Sequence, residues 1–218
     1  KSKIQTRLKS MLPPFSILGR GRAGRALAAA WAGVPLLAHD ANPEGWVLLA
    51  VPDSAITAMA ERFRGRCIHL SGSLHLEGVP CAHPLTSFDG LPANWAGTPL
   101  ALTGAVPSAV VEAFETLGFC PFELAADLKP LYHTAAVLTS GHTATLWLGA
   151  RALLEQKGIA LPGRGLMPLA AATLDHVEAH GVGGRTGPFV RGDEATIARD
   201  AAALPAEWRD LFLLLGRL

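Results

Sequence analysis

Gly19, Gly21 and Gly24 stand at G-x-G-x-x-G spacing in the segment Gly19-Arg-Gly-Arg-Ala-Gly24. Glycines at this spacing can receive a pyrophosphate. The first permits a tight turn, the second lets an anion approach the backbone, and the third lets a helix pack close to the preceding strand. A helix starting there presents unpaired N–H groups to negative charge. Arg20 and Arg22 flank the second glycine, and Ala23 precedes the third. The plainer alternative is a glycine-rich turn that binds nothing.

A second group has proton-transfer chemistry. Lys129, Tyr132 and His133 fall at i, i+3 and i+4, one face of a helix. They would offer proton donors to a carbonyl or imine under hydride attack; packing with polar tips is the alternative. His83 precedes Pro84, which biases it toward extended geometry, and it is a candidate for ligand contact. Val51-Pro52-Asp53 and Ser71-Gly72 each close an apolar run, where ligands collect in open parallel sheets. Asp53 also suits a helix cap. Arg191 either pairs with Asp193 or binds a substrate carboxylate or cofactor phosphate, and Asp193 is placed to cap the next helix. There is no G-x-S-x-G or Cys/His nucleophile signature and no H-E-x-x-H, so neither acyl-enzyme chemistry nor a metal site is expected.

The elements that must position these residues alternate. Phe15–Leu18 predicts a strand before the glycines, and Ala23–Trp31 a helix after them. Further strands are expected at Val34–Ala38, Trp46–Val51, Cys67–Leu70, Val79–Ala82, Thr98–Thr103 and Pro121–Leu124. Helices are expected over 54–63, capped by Asp53 or Ser54, and over Pro107–Leu117. This alternation predicts an α/β parallel sheet covered on both faces. After Leu124 the strand signals stop. Long helices follow over Ala125–Lys157, with Gly141 inside as a kink or close contact, then Gly165–His180, Glu194–Ala203 and Pro205–Leu215. The expected domains are therefore a loose basic tail over 1–12 with no signal peptide, an α/β domain over 13–124, and an all-α domain over 125–218.

One element is missing. About five residues separate Asp40 from Trp46, whereas a parallel crossover with its helix needs at least ~10–12. The third strand-and-helix unit of a dinucleotide fold is thus expected to be absent. Asp40 lies where an acidic side chain would take the ribose hydroxyls of NAD; Arg20 and Arg22 would favour the 2′-phosphate of NADP. NADP and NAD both stay open.

Composition narrows the classes. Of 218 residues, 50% are apolar and 17% charged, and the net charge is +1. That describes a globular chain with no global field for nucleic acid or an anionic membrane. No run approaches the ~18 apolar residues of a membrane span. Cys67, Cys81 and Cys120 are scattered, as expected of buried thiols in the reducing cytoplasm.

Six stretches in order carry a family resemblance: Gly19–Gly24, Leu48–Asp53, His69–Ser73, His83–Phe88, Tyr132–Val137 and Thr186–Asp193. With them the chain resembles Rossmann-like proteins carrying the DUF2520 domain, distant relatives of pyrroline-5-carboxylate reductase and 6-phosphogluconate dehydrogenase. The resemblance implies a dinucleotide-binding domain, a helical domain that often dimerises, and a substrate cleft between them. It also implies a backbone at Val51-Pro52-Asp53 beside a nicotinamide ribose. Relatives tend to have an asparagine near residue 141, where this chain has Gly141. The expected function is an NAD(P)-dependent reductase of a small carbonyl or imine compound. The alternatives are a dinucleotide-binding regulator without catalysis and a dimeric interaction protein with a vestigial site.

Overall fold

The computed structural model describes residues 15–31 and 33–218; the expected tail over 1–12 lies outside them. The chain divides into two compact units, the first ending at Thr145 and the second running from Leu146 to Leu218. The first holds strands β1 (Phe15–Leu18), β2 (Leu36–Leu37), β3 (Trp46–Leu49), β4 (Cys67–His69), β5 (Cys81–Pro84), β6 (Pro99–Thr103) and β7 (Cys120–Glu123). Its helices are α1 (Arg22–Ala30), α2 (Asp53–Arg62), α3 (Ser108–Thr116) and α4 (Lys129–Val137). A π turn, Leu138–His142, separates α4 from α5 (Thr143–Gln156).

The strands form one sheet in the order β2-β1-β3-β4-β5-β6-β7. Pairing is parallel except between β5 and β6. The alternation predicted parallel neighbours throughout. The segment joining β5 to β6 contains no helix, and without a crossover the chain returns antiparallel. His83 and Pro84, expected just past a strand, are its last two residues and pair with Ala101 and Leu100.

Successive side chains of a strand point to opposite faces, so a strand covered on both sides reads as an unbroken apolar run. Ile17, Leu48 and Ile68 face α1 and α3, packing with Leu27, Trp31, Val110 and Phe114. Leu18, Leu49 and Cys67 face α2, packing with Ile56, Ala60 and Phe63. Each fully buried Leu, Ile or Phe contributes about 1.5–3 kcal/mol. Trp31 anchors the first layer. Its ring meets Phe15 and Phe114 edge-on, at 5.4 and 4.9 Å between centroids, and its Nε1 donates to the Ala113 carbonyl at 3.0 Å.

The expected deletion is visible in the topology. β2 is the sheet edge, and β1 lies between β2 and β3. Residues 38–45 cross from one to the other as bare chain. Two arginines strap it down. Arg62, at the end of α2, donates to the carbonyls of His39, Asp40 and Ala41 at 3.0, 2.8 and 2.9 Å. Arg66 donates to those of Pro43 and Gly45 at 2.7 and 2.9 Å. Both guanidinium groups also lie over the Phe63 ring, 4.9 and 5.1 Å from its centroid.

The second unit carries the rest of α5, then α6 (Met167–His180), α7 (Pro188–Arg191), α8 (Glu194–Ala202) and α9 (Ala206–Arg217). The short helix α7 lies between two longer ones, just before Asp193. Asp193 caps α8 as expected, its Oδ1 accepting from the Thr196 amide at 3.1 Å. That bonding holds its carboxyl below the usual range. Phe189 packs on Phe212 with centroids 5.0 Å apart. Arg209 donates to the carbonyls of Ala201 and Leu204 at 2.9 and 3.0 Å, tying α9 to the end of α8. No described helix is long and apolar enough to cross a membrane.

Candidate functional site

The glycine turn has the geometry its spacing requires. Gly19 sits at φ 119°, and its α-carbon faces the Ala50 carbonyl and the Val51 side chain so closely that no Cβ fits. A Cβ on Gly24 would run into the Gly19 carbonyl. Gly21 is the N-cap of α1 and differs from both: among the described residues nothing lies within 4 Å of where its Cβ would stand. No side chain caps α1, and its first turn holds no acidic residue. The first amides of the helix are therefore left to a ligand or to water. Arg20 and Arg22 are exposed beside this opening, and Ala23 is half-buried in the first turn. Arg25 donates to the Arg20 carbonyl at 2.8 Å and fixes that loop. An anion fits this cradle: among the described residues no side chain takes these donors or closes the approach, and the adjoining side chains are cationic.

From the glycines a chain of contacts runs along the sheet edge. Gly19 touches Ala50 and Val51, which follow β3. Pro52 holds the N-cap position of α2, so neither Asp53 nor Ser54 caps it. The Asp53 Oδ2 instead accepts from Ser71 Oγ at 2.8 Å. This joins the turn after β3 to the turn after β4. Gly72 follows; a Cβ there would stand 2.8 Å from His83 Nε2 and 2.7 Å from His133 Cδ2. β1 and β5 are three strand steps apart, about 14 Å at ~4.8 Å per step.

Lys129, Tyr132 and His133 share the face of α4 that meets this edge. Lys129 is 1% exposed. Its Nζ donates to the Ser71 carbonyl at 2.9 Å and to Cys81 Sγ at 3.0 Å. Cys81 Sγ in turn donates to the same carbonyl at 3.1 Å. Tyr132 Oη and His83 Nδ1 share a hydrogen bond of 3.0 Å with their rings edge-on. The His133 ring lies 6.2 Å from that of His83. Burial, with Lys129 and then His133 beside it, pulls His83 down to about 4. Burial pushes Tyr132 up to about 12. At neutral pH this pair is a neutral imidazole against a protonated phenol.

A cavity of about 590 Å³ opens on the pair. Its walls are His83, Leu85, Thr86 and Ser87 on one side, and α4 with the π turn, from Tyr132 to Gly141, on the other.

Two predicted residues stand apart from these contacts. Asp40 is exposed in the strapped link, with its carbonyl on Arg62 and its side chain in no described hydrogen bond. Arg191 ends α7 in the second unit. His176 and His180 are one turn apart on α6, yet among the described residues no group of three or more His, Cys, Asp or Glu gathers to hold a metal. Cys120 is exposed, contrary to expectation, while Cys67 and Cys81 are buried.

Sequence reasoning missed Cys81 and His69. His69 is fully buried; its Nδ1 accepts from the Ser71 amide at 3.2 Å, its Nε2 has no partner among the described residues, and burial lowers it to about 4. A signal was present. Cys81 and His83 are two residues apart on β5 and so share one strand face, and His69 ends β4 two residues before Ser71.

The sheet, its glycine turn and the helices that cover it define a Rossmann-like α/β protein with a helical C-terminal region. The model of the family described as "Domain of unknown function (DUF2520)" matches residues 99–218, and the chain belongs to that family, as its sequence blocks suggested. Solved structures share the fold. A Bacteroides fragilis protein provisionally named an NADP oxidoreductase is 19% identical over 95% of this chain and 97% of its own, with TM-score 0.79. Protein TM1727 of Thermotoga maritima is 20% identical over 93% and 95%, with TM-score 0.71. A reductive aminase of Aspergillus terreus, solved in complex with NADPH and ethyl-5-oxohexanoate, is 15% identical over 94% and 93%, with TM-score 0.65. No curated protein matches the sequence.

Proposed function

We propose that the protein is an NAD(P)-dependent reductase of a small carbonyl or imine compound. One observation carries this reading: the open glycine cradle and the His83–Tyr132 pair lie on one sheet edge, about 14 Å apart, joined by unbroken contacts through Val51, Asp53, Ser71 and Gly72. That separation suits a nicotinamide ribose extended from a pyrophosphate on α1. The complex of the Aspergillus terreus aminase with NADPH and a ketone supports it by analogy of fold.

Gly19, Gly21, Ala23 and Gly24 would hold the pyrophosphate through backbone amides. Arg20 and Arg22 would add charge, which favours NADPH over NADH. Val51, Pro52, Asp53, Ser71 and Gly72 would line the path of the nicotinamide ribose. A bound reduced nicotinamide supplies the hydride. Tyr132, held protonated, donates a proton to the carbonyl oxygen or imine nitrogen, and His83 holds the phenol in place through Nδ1. General acids so placed contribute about 10²–10⁴-fold. Lys129 does not touch the reacting atoms in this reading; it pins Ser71 and Cys81 beneath α4. Arg191 is kept as a candidate for a substrate carboxylate.

The same reading makes the protein a cytoplasmic homodimer. The helices after Val137 support the dimer: no residue of α5 or α6 is fully buried in one chain, and Leu148, Leu169 and Leu174 are 56%, 68% and 61% exposed. Apolar faces of this extent are normally covered. The deciding experiment incubates the protein with 4-deuterated NADPH and a panel of ketones, with and without amines. Deuterium in the product alcohol or amine is the expected result. Cofactor binding with no transfer to any substrate would leave a dinucleotide-binding regulator instead.

A further inference from the structure

The π turn carries a glycine that the backbone does not require. Gly141 is the fourth residue of Leu138–His142, and its φ is not positive. Among the described residues, and apart from its own helix backbone and chain neighbours, the one atom within 4 Å of where a Cβ would stand is Val137 Cγ1, at 4.0 Å. No strand, carbonyl or ring crowds it, unlike Gly19, Gly24 or Gly72. Glycine is among the poorest residues in a helix interior, and alanine at this point would be the better helix former. Threonines on either side brace the turn instead. Thr139 Oγ1 donates to the Ala135 carbonyl at 2.9 Å, Thr143 Oγ1 to Leu138 at 3.3 Å, and Thr145 Oγ1 to Gly141 at 3.0 Å. A π turn held this way is a typical accompaniment of a functional site.

What Gly141 does face is the cavity beside His83 and Tyr132. That cavity, about 590 Å³, lies within the range of small-molecule sites. Its wall along α4 is Ala135, Ala136 and Val137, followed by Thr139, Ser140 and Gly141. His83 and Tyr132 stand at one end of the cavity, and the helix wall is made of small residues, apolar at Ala135, Ala136, Val137 and Gly141 with the Thr139 and Ser140 hydroxyls between.

We propose that Gly141 is a specificity-determining residue: its missing side chain leaves room in this cavity for the bulky apolar substituent of a carbonyl or imine compound whose polar end meets Tyr132. This rests on the reductase reading for the chemistry of the polar end. The cavity and its size dependence can be tested without turnover.

The test measures binding of acetone, acetophenone and acetonaphthone to the full chain by saturation-transfer NMR, with and without NADP. Wild type is compared with Gly141→Ala, Gly141→Leu and the control Ala144→Leu, an exposed α5 position outside the cavity lining. Gly141→Leu should weaken the two aromatic ketones by about tenfold or more, graded by size, and leave acetone and the control unchanged, since added bulk in a pocket costs about that much. Gly141→Ala should raise Tm by about 2–4 °C while trimming only the largest ketone. Three results overturn the proposal: no ketone binding by wild type, equal loss of all three ketones in Gly141→Leu, or a changed oligomeric state with ketone binding intact, which would give the glycine to an interface. Size-graded binding with no NADPH consumption would leave the proposal standing and refute the reductase reading alone.

Discussion

Replacing Arg62 by alanine should release the chain between β2 and β3. This link stands where a helix would otherwise cross the sheet, and it has no hydrogen-bonded structure of its own beyond a turn. Arg62 supplies three of the five guanidinium bonds that hold it. The carbonyls are solvent-accessible, so water replaces the lost donor and each bond contributes only about 0.5–1 kcal/mol. Three bonds give about 1.5–3 kcal/mol, and the guanidinium over Phe63 about 0.5 kcal/mol more. For a chain of this length that is a fall in Tm of roughly 4–14 °C. Arg62→Lys keeps the charge without the fork and should fall between. Urea unfolding gives the energy, and limited proteolysis shows where the chain opens. The expected new cut lies within residues 38–45. A loss below about 0.5 kcal/mol with an unchanged cleavage pattern would refute the strap, leaving Phe63 and its neighbours to hold the link by apolar packing alone.

Tyr132→Phe should lower kcat by about 10²–10⁴-fold with cofactor affinity unchanged, and cost about 1 kcal/mol of stability for the lost bond to His83; unchanged turnover would remove Tyr132 as the acid. His69 and His83 each fall from 6.5 to about 4 on folding. Above pH 6.5 both states are neutral and the rings cost nothing; as pH drops toward 4 the unfolded chain takes up protons that the folded one refuses. Stability should therefore decline across that window, by up to about 3 kcal/mol per ring, and urea midpoints equal at pH 7 and 4.5 would contradict it. A thiol reagent should modify Cys120 quickly in the native protein and reach Cys67 and Cys81 only on unfolding, because burial excludes the reagent and raises both thiols; more than one fast thiol would place a buried cysteine wrongly.

The order of strands and helices was legible because both faces of the sheet are covered, which turns each strand into an apolar run bounded by glycine, proline or serine. The glycine turn was legible because its three positions do steric work that only glycine permits. The missing third strand followed from counting residues, since a crossover has a minimum length. The antiparallel return at β6 was not legible: nothing in Cys81–Pro84 or Pro99–Thr103 records direction, and only the lack of a helix between them does. The role of Lys129 was also hidden. Spacing put it on the face of Tyr132 and His133, but its depth depends on Cys81 and the Ser71 carbonyl, brought to it by strands 48 and 58 residues away in sequence. The π turn left only Gly141 as a trace.

Whether the Gly19–Gly24 cradle holds a dinucleotide is decided by a thermal-shift titration with NADPH, NADH, NADP and NAD, run beside a Gly21→Asp variant. Gly21 has open space around it, so an aspartate there can fold while opposing a pyrophosphate. NADPH should raise Tm by a shift worth about 2.7 kcal/mol at a hundred times its Kd, and Gly21→Asp should abolish that shift with the unliganded Tm preserved. No shift with any of the four, or an equal shift in the variant, would contradict it.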